Sequence, residues 1–512
     1  MSRLIVLSNR VKMPDNNPMA GGLAVALSDV LIESSGVWMG WNGQIDDHNI
    51  VTDTAVPYSY NQSNDNEFST NNKTTLLTAD ATISAPKITY ITTSLTPKQY
   101  QHYYCGFANN VLWPLAHEQT DLIDQSPLDY DSYQSVNLLF AKQLKQFIQP
   151  DDVIWVHDYH FLSVAYYCRQ LSITNRIGFF LHIPFAPLSF WQQLDRSPEL
   201  IRHLAHYNVI GTQTQQDKSN CLQVIRHYLQ HSTIIQHTSS YRLTLNFGLS
   251  RPHCLSIDAY PIGVNVVKIQ KFVSNLNAER AATSSTTINR KAANQKIIAV
   301  DRIDYSKGLL ERFSAYSIFL QQYPTYQNQL KLLQIACPSR LDLGVYQRFY
   351  DNVRQSVRDI NQQFLINDKA VAYVNAIYKA PLESHWQPIC YCENVLSHEA
   401  LMKTFWHSDI GWVNSLKDGM NLVAKEYIAA QNPDNPGVLL LSRYAGAAEQ
   451  MQAAVIIDPQ KPESIIEGLS TSLTMPLQER KERHQALLKG LKQDNLQSWQ
   501  QDFLDDLYQV VK

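Results

Sequence analysis

The sequence predicts an α/β protein made of two doubly wound domains, and three observations carry that expectation. Its 512 residues exceed what one hydrophobic core organises, since domains usually hold roughly 100–200 residues. Short β-branched and aromatic runs alternate with longer stretches of helical periodicity, the pattern of parallel sheets with crossover helices. Between Ile262 and Lys296 the chain turns poor in large apolar residues, and positions 281–294 are rich in Ala, Ser, Thr and Asn. The domain junction is therefore placed near 262–263. Residues 1–262 are expected to form a first Rossmann-like domain and 263–490 a second, with 491–512 as a terminal helix packing back on the first.

In the first half, strands are expected at 4–7, 153–156, 177–181 and 209–211. The second half repeats the scheme at 297–300, 330–335, 370–374, 410–413, 438–441 and 454–457, with a helix over 309–323 and two closing helices over 477–511. The polar stretch 58–73 reads as a surface excursion, and 281–294 as an exposed loop or insertion.

Composition excludes several classes. With 44% hydrophobic and 17% charged residues and a net charge of -3, the chain is neither disordered nor polybasic, so no nucleic-acid partner is indicated. No run of about 20 uncharged apolar residues could span a membrane, and the N-terminus reads as a short strand, not a signal peptide. Seven scattered cysteines suit reduced thiols, so a cytoplasmic protein is expected. Cys390 and Cys392 lie in a strand-like run without a second Cys or His pair at ligand spacing, so no metal site is expected.

Candidate chemistry lies at strand ends, where open α/β sheets bind their ligands. The first strand runs into Ser8-Asn9-Arg10, and Gly21-Gly22 then opens the helical run 23–32, which reads as an anion site or as an ordinary turn. Trp38-Met39-Gly40-Trp41-Asn42-Gly43 and the stretch from Tyr103 to Pro114 suit pyranose faces, or are core aromatics. Strands also end in His157-Asp158-Tyr159-His160 and His182-Ile183-Pro184-Phe185. Further on, Arg302 and Lys307 in Asp301-Arg302-Ile303-Asp304-Tyr305-Ser306-Lys307-Gly308 can converge on a diphosphate, and Arg340 adds a third strand-end cation. The stretch from Lys417 to Glu426 leads into a helix whose N-terminus could hold a sugar or phosphate, with Glu426 placed to accept from ribose hydroxyls.

In this order the stretches resemble the trehalose-6-phosphate synthase family of retaining glycosyltransferases, from residue 4 to about residue 507. The most specific are Asp304-Tyr305-Ser306-Lys307-Gly308, His157-Asp158-Tyr159-His160, Leu181-His182-Ile183-Pro184-Phe185 and the stretch from Asp418 to Glu426. The resemblance implies a GT-B fold, two Rossmann-like domains with the active site in the cleft between them. It implies transfer of glucose from UDP-glucose to glucose 6-phosphate with retention, without a cofactor, and it leaves homo-oligomerisation open. Arg10, Tyr104, Trp113, Asp158 and Arg340 would bind the acceptor. Gly22, His182, Arg302, Lys307, Asp418, Met420, Asn421, Leu422, Val423 and Glu426 would surround the donor, with His182, Arg302, Lys307 and Asp418 as the catalytic group.

The chain departs from the family at Lys417, where Arg is expected, and at Thr212, where an aromatic is usual. A related transferase using another phosphorylated acceptor, such as glycerol 3-phosphate, is the nearest alternative, and a catalytically silent sugar-phosphate sensor the next. A nicotinamide oxidoreductase is disfavoured, because neither domain's first strand is followed by Gly-x-Gly-x-x-Gly.

Overall fold

The computed structural model describes residues 3–11, 27, 31, 36–57, 87–229, 233–237, 240–245, 253–283, 295–377 and 386–510. Among them, the first half supplies β1 (Leu4–Arg10), β2 (Val37–Ile45), β3 (Val51–Pro57), β4 (Lys87–Leu95), β5 (Val153–His157), β6 (Arg176–Phe180), β7 (Val209–Thr212), β8 (Thr233–His237), β9 (Ser240–Leu245) and β10 (His253–Ala259). They form one sheet in the order β3-β4-β2-β1-β5-β6-β7-β10-β9-β8. Neighbours from β4 to β10 run parallel, while β3 and the β8–β9 hairpin are antiparallel additions at the edges. The central strands are buried on both faces, which explains their unbroken apolar runs: Leu4 to Leu7 and Val153 to Val156 are all inaccessible.

The second half supplies β11 (Gln295–Arg302), β12 (Leu330–Cys337), β13 (Ile389–Cys392), β14 (Ile410–Val413), β15 (Val438–Ser442) and β16 (Val455–Ile457). All are parallel, in the order β13-β12-β11-β14-β15-β16, which is the doubly wound arrangement. In each sheet the chain starts in the middle, builds outwards, then crosses to the other side. The resulting switch points lie between β1 and β5 and between β11 and β14, and crevices open beyond the strands' carboxyl ends there. Arg10 and Asp158 emerge at the first, Arg302 and Asp418 at the second.

The chain passes between the sheets twice, and the two passages touch: Leu496 N–H donates to the Val264 carbonyl at 3.4 Å. After the second passage, helix Leu496–Gln509 lies across β5, β6 and β7. Phe503 stacks on Trp155 with ring centroids 4.8 Å apart, and Trp499 meets Trp155 at 4.9 Å.

One strand expectation is corrected. Residues 370–374 are not a strand but part of helix Gly344–Ile377, and the strand that pairs with β12 is Ile389–Cys392. Ala370-Val371-Ala372-Tyr373-Val374 is apolar throughout, so its pattern has no period to separate a strand from a helix turn. Helix Val266–Thr283 also reaches into the stretch expected as loop from 281, and 284–294 lie outside the described residues. The excursion 58–73 lies outside them as well. So does the expected helix 23–32 except for Leu27 and Leu31, which are both buried and one helical turn apart.

Candidate active site

The second lobe contributes a charged loop built by its first strand. After β11 ends at Arg302, Asp304 caps a short 3-10 turn, Tyr305–Lys307, by accepting from Ser306 N–H at 3.0 Å. Gly308 follows at φ 63, with Asn414 packed so close that a Cβ would sit 2.3 Å from its carbonyl oxygen, and helix Leu309–Gln322 begins. Only glycine suits both conditions. The turn aims Lys307 at Asp418, and Nζ donates to Oδ2 at 2.6 Å. Asp418 Oδ2 also accepts from Ser415 Oγ at 3.1 Å and Asn421 Nδ2 at 3.0 Å. Burial pushes the Asp418 carboxyl up, but the Lys307 charge and these donors outweigh it and hold the carboxyl below its ordinary range. Asn421, at φ 75, caps helix Leu422–Ala429 through Ala424 N–H, so one side chain both starts the helix and fixes Asp418.

Arg340 makes the bridge between lobes. Its guanidinium donates to Asp304 Oδ2 at 3.0 Å on its own lobe and to Tyr159 OH at 3.2 Å on the other, and lies 3.9 Å from the Trp113 ring centroid. Arg302 approaches the same ring at 5.5 Å. Burial alone would raise the Asp304 carboxyl, yet Arg340, Arg302, His117 and Lys307 hold it at about 2. Trp113 is delivered by an unusual element, the π-helix Tyr100–Leu112, whose wide turns end in Trp113 N–H donating to Ala108 O. Such i→i+5 helices occur mostly as single turns at functional sites, and this one spans 13 residues.

The acceptor candidates of the first lobe form one aromatic wall. Arg10 is exposed and lies 5.6 Å from the Trp41 ring; Trp41 meets Tyr104 at 5.3 Å, and Tyr104 stacks parallel to His160 at 6.1 Å. His160 in turn meets Tyr159 at 4.0 Å, and Tyr159 meets Trp113 at 5.6 Å. Asp158, at φ 75, takes backbone N–H bonds and feels Arg302 and Arg340, but burial prevails and its carboxyl rises to about 6. Four of the six non-glycine residues with positive φ among those described, Glu118, Asp158, Arg340 and Asn421, lie around this cleft.

His182 N–H donates to Asp158 Oδ1 at 3.3 Å, and its imidazole bonds His157 at 3.0 Å. Burial drives the His182 imidazole down to about 3, so it is neutral. Its carbonyl faces Gly419 on the other lobe so closely that a Cβ there would sit 2.1 Å from the oxygen.

The cleft thus brings together Arg10, Tyr104, Trp113, Asp158, His182, Arg302, Lys307, Arg340, Asp418 and Asn421. Met420 is buried, and Leu422 and Val423 pack on the core beside it. Glu426 bonds His398 at 3.1 Å further along the helix. Gly22 lies outside the described residues. Asp304, Tyr346, His157, His117 and Glu118 were not singled out in the sequence as site residues. For Asp304 a signal existed, since an Asp just after a strand and ahead of a turn and helix commonly caps that turn by accepting a backbone N–H two residues on.

Arg10 and Arg302 carry no ion pair among the described residues, whereas Lys307 and Arg340 are each matched by a carboxylate. Two cations at facing switch points remain for anionic ligands.

Comparison with known proteins agrees with this geometry. The model of glycosyltransferase family 20 matches residues 7–509. The trehalose-6-phosphate synthase of Sodalis glossinidius is 36% identical over 511 residues, covering 100% of this chain and 97% of that protein. The Klebsiella pneumoniae synthase is 34% identical, covering 100% and 96%. Among solved structures, a UDP-forming trehalose-phosphate synthase from Burkholderia xenovorans aligns with TM-score 0.80 at 36% identity over 100% of both chains. The Burkholderia xenovorans enzyme in complex with glucose 6-phosphate aligns at 0.81 and 33% identity, covering 99% and 100%. An E. coli structure bound with UDP-2-fluoro glucose does so at 0.81 and 33%, covering 100% of both. With two Rossmann-like lobes, a charged cleft between them and family likeness along nearly the whole chain, the protein belongs to glycosyltransferase family 20, the family of the trehalose-6-phosphate synthases.

Proposed function

We propose that the protein transfers glucose from UDP-glucose to glucose 6-phosphate with retention, giving trehalose 6-phosphate and UDP. The observation that carries this reading is a pair of cations at facing switch points that make no ion pair among the described residues, Arg10 on the first lobe and Arg302 on the second. They suit two separate anions, an acceptor phosphate and a donor diphosphate. The solved relatives with glucose 6-phosphate and with a fluorinated UDP-glucose support that division. The domain limits 1–262, 263–490 and 491–512 belong to the same proposal.

In this mechanism Arg302 and Lys307 stabilise charge growing on the departing diphosphate, and Asp418, aligned by Lys307, Ser415 and Asn421, orients the glucosyl ring. Retention follows from front-face attack, in which the leaving diphosphate takes the proton of the acceptor hydroxyl. Atoms and charge then balance without an enzymic nucleophile. The neutral His182 keeps its carbonyl in the cleft, where a dipole favours the oxocarbenium-like carbon. Arg10, Tyr104, Trp113, Asp158 and Arg340 hold the acceptor, and Gly22, Met420, Asn421, Leu422 and Val423 lie around the donor, with Glu426 on its ribose. Closing the lobes excludes the water that would hydrolyse the donor.

The test is to incubate purified protein with UDP-, GDP- or ADP-glucose, alone, with glucose 6-phosphate or with glycerol 3-phosphate, and identify products by NMR. An α,α-linked disaccharide phosphate formed with the UDP donor is expected. A product only with glycerol 3-phosphate, or none with any donor, would replace the reading.

A further inference from the structure

We propose that Lys417 and Glu118 form a latch that seats the two half-sites against each other, making this ion pair a positioning element of the transfer. The inference rests on the half-site reading above. Lys417 Nζ contacts Glu118 Oε1 at 2.6 Å across the cleft, although the side chains remain 25% and 30% exposed. An exposed pair usually contributes little, so the pair alone would mean little. Three further observations give it a role.

The first is strain. Glu118 is held at φ 60, in the left-handed region that L-residues avoid, at the position closing helix Trp113–Ala116 that glycine usually takes. The second is where the glutamate is mounted. It ends the short helix Trp113–Ala116: Glu118 N–H donates to Leu115 O at 3.1 Å and Gln119 N–H to Pro114 O at 2.8 Å. Between them, His117 stacks on Trp113 at 4.2 Å and bonds its carbonyl at 2.8 Å. A displacement of Glu118 is therefore transmitted to the Trp113 indole, which carries Arg340.

The third is where the lysine is mounted. Lys417 directly precedes Asp418, and the neighbouring Leu416 N–H donates to Ser306 O at 2.8 Å, next to Lys307. Each partner is thus one short rigid step from a half-site. Lys417 also faces a second carboxylate of the first lobe, Asp217, and its charge opposes the burial that raises that carboxyl to about 6. The lysine at a position where arginine is expected fits here: it meets the glutamate as a point charge and needs no planar fork.

The experiment compares wild type with Lys417→Glu, Glu118→Lys, the double swap, Lys417→Arg and Glu118→Gly. Calorimetry measures glucose 6-phosphate affinity with and without saturating UDP, and the ratio is the coupling between half-sites. Each single swap should lower that ratio by about three- to tenfold, with binary UDP affinity intact in Glu118→Lys, while the double swap should restore the ratio and Lys417→Arg should keep it. Glu118→Gly separates positioning from structure. It relieves the left-handed strain, so its Tm should hold or rise while coupling falls.

Small-angle scattering of the ligand-free proteins reads the latch independently of substrate identity. Single swaps should enlarge the radius of gyration and the double swap should reverse that. Unchanged coupling and unchanged scattering in both single swaps overturn the latch, as does a Glu118→Gly protein whose coupling falls only in step with its Tm. Wild-type protein that binds neither ligand would overturn the functional reading and the coupling role together, with scattering still reporting the contact itself.

Discussion

Replacing Lys307 with methionine is expected to destabilise the protein and slow it by separable amounts. Methionine keeps most of the apolar stem but leaves Asp418, 14% exposed, with only Ser415 and Asn421 as donors. At the observed 2.6 Å the pair's attraction is about 6 kcal/mol for an effective dielectric near 20, and desolvation of both charges cancels much of it. What remains decisive is the cost of one unpaired buried charge, about 3–5 kcal/mol. Asp418→Asn should lose a similar amount, because Lys307 is then the orphan, 11% exposed. The double variant should lose little more than either single one, a coupling of about 3–4 kcal/mol read from urea denaturation. Turnover with UDP-glucose should not follow stability. It should fall about a hundredfold or more in Lys307→Met and stay low in the double variant, because charge on the departing diphosphate has lost its partner. Stabilities that add within about 0.5 kcal/mol would refute the idea that these residues act as a unit.

The buried carboxylate of Asp304 should make the protein lose stability in acid. Its folded pKa of about 2 lies below the unfolded value of 3.8, so it binds fewer protons folded than unfolded. Its contribution, about 2 kcal/mol, is present above pH 3.8 and fades as pH falls through about 2, so Asp304→Asn should flatten the urea midpoint across that window. In Phe503→Ala the stack on Trp155 is lost and a cavity opens above Gly178 and Gly211, which should cost about 3–5 kcal/mol by thermal or urea unfolding. Asp158, with its carboxyl near 6, should give kcat/KM for glucose 6-phosphate an acid limb near that pH. The acceptor phosphate titrates there too, so the measurement is the difference between wild type and Asp158→Asn.

The second sheet was largely legible in the sequence, because doubly buried parallel strands are short apolar runs ended by polar residues. Positions 410–413 and 330–335 match β14 and most of β12. The first sheet was less so. In β2, Trp38-Met39-Gly40-Trp41 reads as a sugar-facing aromatic cluster as readily as a strand, and β3 is an edge strand whose first four residues, Val51 to Thr54, are exposed. The π-helix has no readable pattern, since its i→i+5 bonding fits neither a 3.6- nor a 2-residue period. Motif residues at strand ends were legible as candidates, but their partners were not. Lys307 and Asp418 are 111 positions apart, Asp304 and Arg340 36, and no local rule couples them.

Asp158 and Asp304 show why those partners matter. Both carboxylates are buried near Arg302 and Arg340, yet one rises to about 6 and the other falls to about 2. The difference lies in direct contact. Asp304 accepts from the Arg340 guanidinium at 3.0 Å, from Tyr346 OH at 3.1 Å and from Ser306 N–H at 3.0 Å, so its charge is matched within the protein. Asp158 takes backbone donors, such as His182 N–H at 3.3 Å, and feels the guanidiniums only through space. Its charge is incompletely matched, so a ligand hydroxyl that donates to it completes the site and stabilises the ionised form. Asp304 is thereby a fixed counter-ion that holds Arg340 against Trp113, whereas Asp158 has no cation in direct contact. Environments that push two carboxylates apart in this way divide their labour between architecture and substrate. In this cleft the division follows the lobes: the charges of the second are largely paired among themselves, and the carboxylate awaiting a partner belongs to the first.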